Sequence, residues 1–271
     1  MSASGRPLEL FDEQKILAGL PVEARKQLAS FTVLPEVDST NRFLLEAEDG
    51  AEPGVQACVA ETQTAGRGRR GRGWHSPYGA NLYLSVLRHF ALAPESLQGL
   101  SLAVGVAVAR AMAQLDVQGI ALKWPNDIQL GGEKLGGILL EMSTLSARSC
   151  RVVTGIGINI HMPGDADAGI DQPWTDLATH GAHPGRNRLA ASVLAQVILA
   201  QQEFSQGGFT VFHGEWQRLD GMRDREVVLQ DNERMRRGTA RGVDSHGALL
   251  LEVDGRCERI LSGDISLRPA T

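Results

Sequence analysis

The run from Leu100 to Leu115, LSLAVGVAVARAMAQL, constrains the fold more than any other feature of the chain. It is apolar and built mostly from small residues, and it is interrupted by Ser101, Gly105 and Arg110. A bilayer-spanning helix needs about 20 consecutive apolar residues, so this run is too short and too polar to cross a membrane. It predicts a helix buried in a protein core, and the rest of the chain must supply the layers that bury it.

Those layers are legible around it. Val55 to Thr62, Asn81 to Leu87 and Ile120 to Trp124 are rich in strand formers, the last of them stopped by Pro125. Gly131-Gly132 marks a hairpin turn, after which Lys134 to Met142 and Arg151 to Ile160 read as two further strands. Residues 8–30 predict a helical segment with Leu17, Leu20, Val22 and Leu28 as packing positions and Pro21 as a break. Asp38-Ser39-Thr40-Asn41 before Phe43, Leu44 and Leu45 is a helix N-terminus signal. Leu189 to Phe204 and Phe209 to Leu219 also read as helices, whereas His161 to Pro173, rich in Gly, Asp and Pro, reads as a flexible loop.

After about residue 222 the texture changes to short strands at 227–229, 235–243, 248–253 and 257–261, with a turn at Asp244-Ser245-His246-Gly247. Close spacing of short strands predicts a small β-barrel. The expected architecture is α/β (α+β), a mixed and mainly antiparallel sheet packed with helices, followed by that barrel. The expected division is 1–37 as a helical or linker segment, 38–221 as the main domain and 222–271 as the barrel.

Bulk chemistry narrows the function classes. With a net charge of -5 the chain has no global attraction for a phosphate backbone. Cys58, Cys150 and Cys257 are far apart and odd in number, which excludes zinc-ligand spacing and a full disulfide framework and predicts a reducing compartment. The start MSASGRPLELFDEQ has no apolar run after a basic cluster, so it does not read as a signal peptide. A soluble cytoplasmic protein is expected.

Four motifs carry chemistry. Gly66-Arg67-Gly68-Arg69-Arg70-Gly71-Arg72-Gly73-Trp74 places planar, permanently charged forks on a backbone that can approach a ligand closely. Arginines so close repel one another, so the loop should be mobile when empty and order around a polyanion; taken alone it also suits a disordered RNA-binding segment. Lys123-Trp124-Pro125-Asn126-Asp127 ends a strand with polar groups, or else is a capped turn with Trp124 in the core. Lys134 heads a strand flanked by Gly132, Gly136 and Gly137, a position where a lysine is often merely solvated. Gly155-Ile156-Gly157-Ile158-Asn159 sets two glycines at alternate strand positions, which suggests that another body lies against that face, or that the strand bulges or packs closely.

The ordered set of Asp-Ser-Thr-Asn, Gln63 before the glycine–arginine loop, Lys-Trp-Pro-Asn-Asp, Lys-Leu-x-Gly-Ile and Gly-x-Gly-x-Asn resembles the biotin–protein ligase family, from about Leu8 to Leu267. The resemblance implies a catalytic mixed sheet followed by an SH3-like barrel. It implies that Ser39, Thr40, Asn41 and Gln63 line a biotin pocket, whose cyclic urea needs both donors and acceptors. Gly155 and Gly157 would let the ring system lie against the sheet, and Gly137 belongs to the same pocket. Arg67, Gly68 and Arg69 would close over the intermediate, and Lys134 would contact the biotin carboxylate and later the α-phosphate; Lys134, Arg67 and Arg69 are the implied catalytic residues. Trp74, Asn126, Asp127 and Asn159 would lie on the nucleotide side. His75 stands where many relatives carry an aromatic ring such as Phe.

The implied reaction has two steps, attack of the biotin carboxylate on the α-phosphorus of ATP with Mg2+, then attack of an acceptor lysine on the biotinoyl-adenylate. No metal site of the protein's own is expected. The implied partner is the biotin carboxyl carrier protein subunit of acetyl-CoA carboxylase, and a homodimer is compatible. The 38 residues before Ser39 are about half of what a winged helix-turn-helix requires, so DNA binding is not expected. The nearest alternative is a lipoate or octanoate ligase or transferase of the same fold. The polar cluster of Ser39, Thr40 and Gln63 favours the urea ring over it.

Overall fold

A computed structural model describes residues 8–47, 54–163, 172–231, 234–261 and 265–269. Its centre is a seven-stranded sheet in the order β1-β2-β3-β7-β6-β5-β4. The strands are β1 (Leu28–Leu34), β2 (Val55–Ala60), β3 (Leu82–Phe90), β4 (Ile120–Lys123), β5 (Asp127–Leu130), β6 (Glu133–Ser146) and β7 (Ser149–Ile158). Only β1 and β2 pair in parallel, and every other neighbouring pair is antiparallel.

Alternation of side chains gives the sheet two covered faces. On one, Ala57, Val59, Val86 and Val152 join the main core with helices α4 (Leu100–Gln114) and α5 (Arg186–Gly207). On the other, Cys58, Leu87 and Val153 pack with Leu44 of helix α3 (Thr40–Glu46). Helix α4 is the expected buried helix. Its small residues let the sheet come close: a Cβ at Gly105 would stand only 3.3 Å from Leu122. Helix α6 (Thr210–Leu219) packs on α4 through Phe212 and Trp216.

The expectation of helix across 8–30, within a helical or linker segment that reaches residue 37, is corrected. Two short helices, α1 (Glu13–Ala18) and α2 (Val22–Arg25), are followed by β1, so the sheet begins at Leu28. The apolar spacing is the same, but Leu28 and Phe31 are buried by pairing with β2, a partner remote in sequence. Strand β5, which follows directly on Lys-Trp-Pro-Asn, was not foreseen as a separate strand. It forms a hairpin with β6 across Gly131 (φ 63) and Gly132 (φ 87), two left-handed positions that match the twist of a two-residue hairpin.

The second sheet is antiparallel, in the order β11-β10-β9-β8-β12. Its strands are β8 (Glu226–Asp231), β9 (Arg234–Val243), β10 (Leu249–Val253), β11 (Arg256–Ile260) and β12 (Ile265–Pro269). This sheet stands where a small barrel is expected. Its inward residues Val227, Leu229, Ala240, Leu249 and Leu251 belong to the main core cluster. Trp124 crosses the junction, 1% exposed, and donates its indole N–H to the Gly247 carbonyl at 3.1 Å.

Candidate active site

A cleft of about 710 Å³ opens where the start of α3, the 63–75 loop, the 123–127 turn and strands β6 and β7 converge; Leu267 and Arg268 of the second sheet reach its edge. Of the site residues picked out in the sequence, all but Gly157 line it.

One end is a hydrogen-bonded polar floor. Ser39 caps α3, its Oγ accepting from the Arg42 N–H at 3.5 Å, so the next two residues enter the helix with their side chains over the sheet. Thr40 donates from its N–H and Oγ1 to Gln63 Oε1 at 2.9 and 3.1 Å. Gln63 Nε2 donates to Ser76 Oγ at 3.3 Å. Ser85, fully buried on β3, lies 2.8 Å from Thr40 Oγ1 and 2.6 Å from Asn41 Oδ1. The groups hold one another in fixed orientations, and a polar ring system placed on them meets prearranged donors and acceptors.

The other end is ionic. Asp127 places Oδ2 2.8 Å from Lys123 Nζ and Oδ1 2.8 Å from Lys134 Nζ, with side-chain exposures of 11%, 12% and 17% in that order. Burial alone would raise the Asp127 pKa, but the adjacent ammonium groups of Lys134 and Lys123 overcome it and hold the carboxyl below its usual range. The Lys134 ammonium also stands 5.5 Å from the centroid of the Trp74 ring. Two ammonium groups share one carboxylate, so this end carries surplus positive charge suited to an anion.

Between the two ends lie the alternate glycines. The body expected against Gly155 and Gly157 is the protein itself. The Trp74 indole lies on Gly157, where a Cβ would stand 2.6 Å from Cε2, and the Asn41 carboxamide lies on Gly155. Gly155 still faces the cleft; the place over Gly157 is taken by Trp74. The Trp74 Nε1 hydrogen is buried without a partner among the described residues, an unsatisfied donor in the wall of the cleft.

The glycine–arginine loop folds back on itself. Arg67 and Gly73 bridge, and the Gly68 N–H donates to the Arg72 carbonyl at 2.7 Å. Arg70 adopts φ 62, a left-handed conformation uncommon outside glycine. Arg69 Nη1 donates to Asn126 Oδ1 at 3.2 Å, which ties the loop to the 123–127 turn. Asn126 Nδ2 in turn donates to the Ile138 carbonyl at 2.8 Å, and Asn159 Nδ2 to the Thr175 carbonyl at 3.0 Å. Both amide nitrogens thus hold backbone beside the cleft. The flexible loop expected at His161 to Pro173 falls largely on 164–171, outside the described residues.

The sequence reading missed Tyr83, Ser85, Lys123 and Trp174 as contributors. Lys123 stood in a quoted motif but had no visible partner, and Ser85 is an ordinary strand residue. Trp174 leaves a signal only in hindsight. It bridges Lys134 through its backbone, a contact that no local pattern specifies.

Fold and cleft together define a class. Residues 33–159 match the biotin/lipoate A/B protein ligase family, and residues 224–268 match the biotin protein ligase C-terminal domain. The chain is 39% identical to the bifunctional ligase/repressor BirA of Escherichia coli, over 97% of this chain and 80% of that one. It is 35% identical to the biotin–[acetyl-CoA-carboxylase] ligase of Mycobacterium tuberculosis, over 86% and 87% of the two chains. The structure of the Aquifex aeolicus biotin protein ligase in complex with biotin and ATP superposes with a TM-score of 0.74 at 31% identity, covering 89% of this chain and all of that one. The chain belongs to the biotin protein ligase family.

Proposed function

We infer that this chain is an AMP-forming biotin protein ligase that adenylates biotin and passes the biotinoyl group to a lysine of a biotin carboxyl carrier protein. The observation that carries this reading is the joining, in one cleft, of a neutral hydrogen-bonding floor to an ion cluster with surplus positive charge. The floor suits a cyclic urea. Its donors and acceptors come from Ser39, Thr40, Asn41 and Gln63, and a dithiolane would leave them unpaired.

In the first step a biotin carboxylate oxygen attacks the α-phosphorus of ATP and pyrophosphate leaves. In the second, the acceptor amine attacks the acyl carbon, AMP leaves and the amine loses a proton. Neither step requires a protein nucleophile. Lys134 neutralises the carboxylate and then the phosphoryl oxygens, and Arg67 and Arg69 cover the adenylate; positioning and charge supply the rate. Trp74, Asn126, Asp127 and Asn159 border the nucleotide. Magnesium enters with ATP as part of the substrate complex, because Asp127 is already committed to two lysines. Each of the Asp127 carboxylate oxygens stands 2.8 Å from a lysine ammonium.

Residues up to about 221 form the catalytic unit in this reading, and 222–271 form a small SH3-like barrel at its edge. The acceptor is the carrier subunit of acetyl-CoA carboxylase, and the setting is the cytoplasm. The deciding experiment is exchange of labelled pyrophosphate into ATP, driven in parallel by biotin and by lipoate. Exchange with biotin alone is the expected result; exchange with lipoate alone replaces this reading by its nearest alternative.

A further inference from the structure

Strand β6 continues past the cleft, and its alternate residues Gly137, Leu139 and Glu141 share one face. Gly137 and Leu139 line the cleft. Glu141 belongs to none of the motifs, yet its Oε2 accepts a hydrogen bond from Asn41 Nδ2 at 2.7 Å. The same amide nitrogen donates to the Leu139 carbonyl at 3.3 Å. On the other side, Asn41 Oδ1 lies 2.6 Å from the Ser85 hydroxyl. Asn41 is 3% exposed, so these partners are its surroundings.

A carboxamide has two N–H hydrogens and an oxygen with two lone pairs. Here both hydrogens point at acceptors, and one lone pair is taken by Ser85. What Asn41 can offer the cleft is the second lone pair of Oδ1, the atom nearest to where a Cβ on Gly155 would stand. The amide could turn over, exchanging oxygen and nitrogen. Ser85 would not resist, since a hydroxyl either donates or accepts, and the Leu139 contact is long. Glu141 resists, because a turned amide would set oxygen against oxygen at 2.7 Å.

We propose that Glu141 is a specificity-setting positioning residue: through Asn41 it presents an acceptor, rather than a donor, to a ring N–H of the cyclic urea. The proposal rests on the biotin reading of the cleft. Without Glu141 only the 3.3 Å contact with the Leu139 carbonyl still orients the amide, and in its turned state the N–H2 meets the urea N–H as donor against donor.

The test is a double-mutant cycle read by biotin-dependent pyrophosphate exchange. Glu141→Leu should raise KM for biotin about tenfold or more, the scale of one lost hydrogen bond in a buried site. Its kcat at saturating biotin and its KM for ATP should stay near wild type. Glu141→Gln can offer Asn41 either an oxygen or an N–H2, so it no longer enforces the orientation and should raise KM for biotin by a smaller factor than Glu141→Leu. In an Asn41→Ala background, Glu141→Leu should add nothing further. Melting temperatures report folding, and Glu141→Ala replaces the leucine variant if that one disturbs the strand. An unchanged KM in Glu141→Leu, a larger rise in Glu141→Gln than in Glu141→Leu, or a fully additive cycle overturns the proposal. A wild-type protein with no biotin-dependent exchange overturns the biotin reading and the proposal together; exchange with an additive cycle overturns the proposal alone.

Discussion

Lys134→Ala separates the chemistry of the ionic cluster from its contribution to stability. In the native cluster two ammonium groups flank one carboxylate, and the Lys134 ammonium lies 2.8 Å from Asp127 Oδ1. Removing Lys134 leaves Asp127 paired with Lys123 at 2.8 Å, so no charge is stranded. The loss of stability should be about 1 kcal/mol, the scale of a partly solvated pair. Its loss in adenylation should be far larger, because a charge contact made in the transition state is worth about 3 kcal/mol, or on the order of a hundredfold in rate. Asp127→Asn reverses the pattern. It keeps Lys134 but leaves two ammonium groups facing each other without a counter-charge, and should cost about 3 kcal/mol in stability. Pyrophosphate exchange and denaturant unfolding measure the two quantities on the same samples. Near-wild-type exchange in Lys134→Ala, or greater destabilisation in Lys134→Ala than in Asp127→Asn, would refute this account of the cluster.

Three further outcomes are expected. Burial pushes the Asp220 carboxyl up to about 6, against the Met222 N–H and Arg223 that favour its charged form. The folded state therefore binds this proton more tightly than the unfolded one, and the stability it contributes below the ordinary value of 3.8 is lost as pH rises through about 6. Asp220→Asn should accordingly be more stable than wild type at pH about 7.5, by roughly 1–3 kcal/mol, and equal to it below pH about 4; a constant difference across pH would count against the assignment. Gly136→Ala should lower stability by about 1–3 kcal/mol, because its Cβ would stand 2.5 Å from the Gly157 carbonyl oxygen, whereas at Gly137 the nearest atom is 3.5 Å away on Trp74. Equal melting temperatures for the two alanine variants would be the contrary result. Trypsin should cut the free protein in the 66–73 loop, where Arg67, Arg70 and Arg72 are exposed, and biotin with ATP should suppress that cleavage; equal cutting in both states argues against closure over the ligand.

What the sequence made legible was local. The Ser39 cap, the Gly131-Gly132 turn and the all-round apolar character of α4 are each decided by neighbours within a few residues, and each has its expected form. The start of β1 at Leu28 was read as the end of a helix, because its apolar spacing serves a helix as well as a strand. Only pairing with β2 distinguishes the two, and that partner is distant in sequence. The site divides in the same way. The residues in the motifs meet in one cleft, whereas Tyr83 and Trp174, which line it too, belong to no motif. Which member touches which was not visible. Gly157 announced a close neighbour without saying that it was Trp74, and Asp127 gave no sign that it would be shared by Lys123 and Lys134.

The hydrogen bond from Trp124 to the Gly247 carbonyl has a practical consequence for dividing the polypeptide. Pro125, Asn126 and Asp127 follow that indole directly, so the wall of the cleft rests on a side chain fastened to the second sheet. Close by, Gly247 lies against Gly99, with an added Cβ only 2.9 Å from the Gly99 Cα. Cutting the chain near residue 222 would give two fragments with matching faces, the larger exposing Trp124, Gly99 and Leu102 and the smaller exposing the turn at Ser245, His246 and Gly247. Each face is the other's complement, so the cut is a natural place for a split reporter whose halves regain an intact cleft only when brought together.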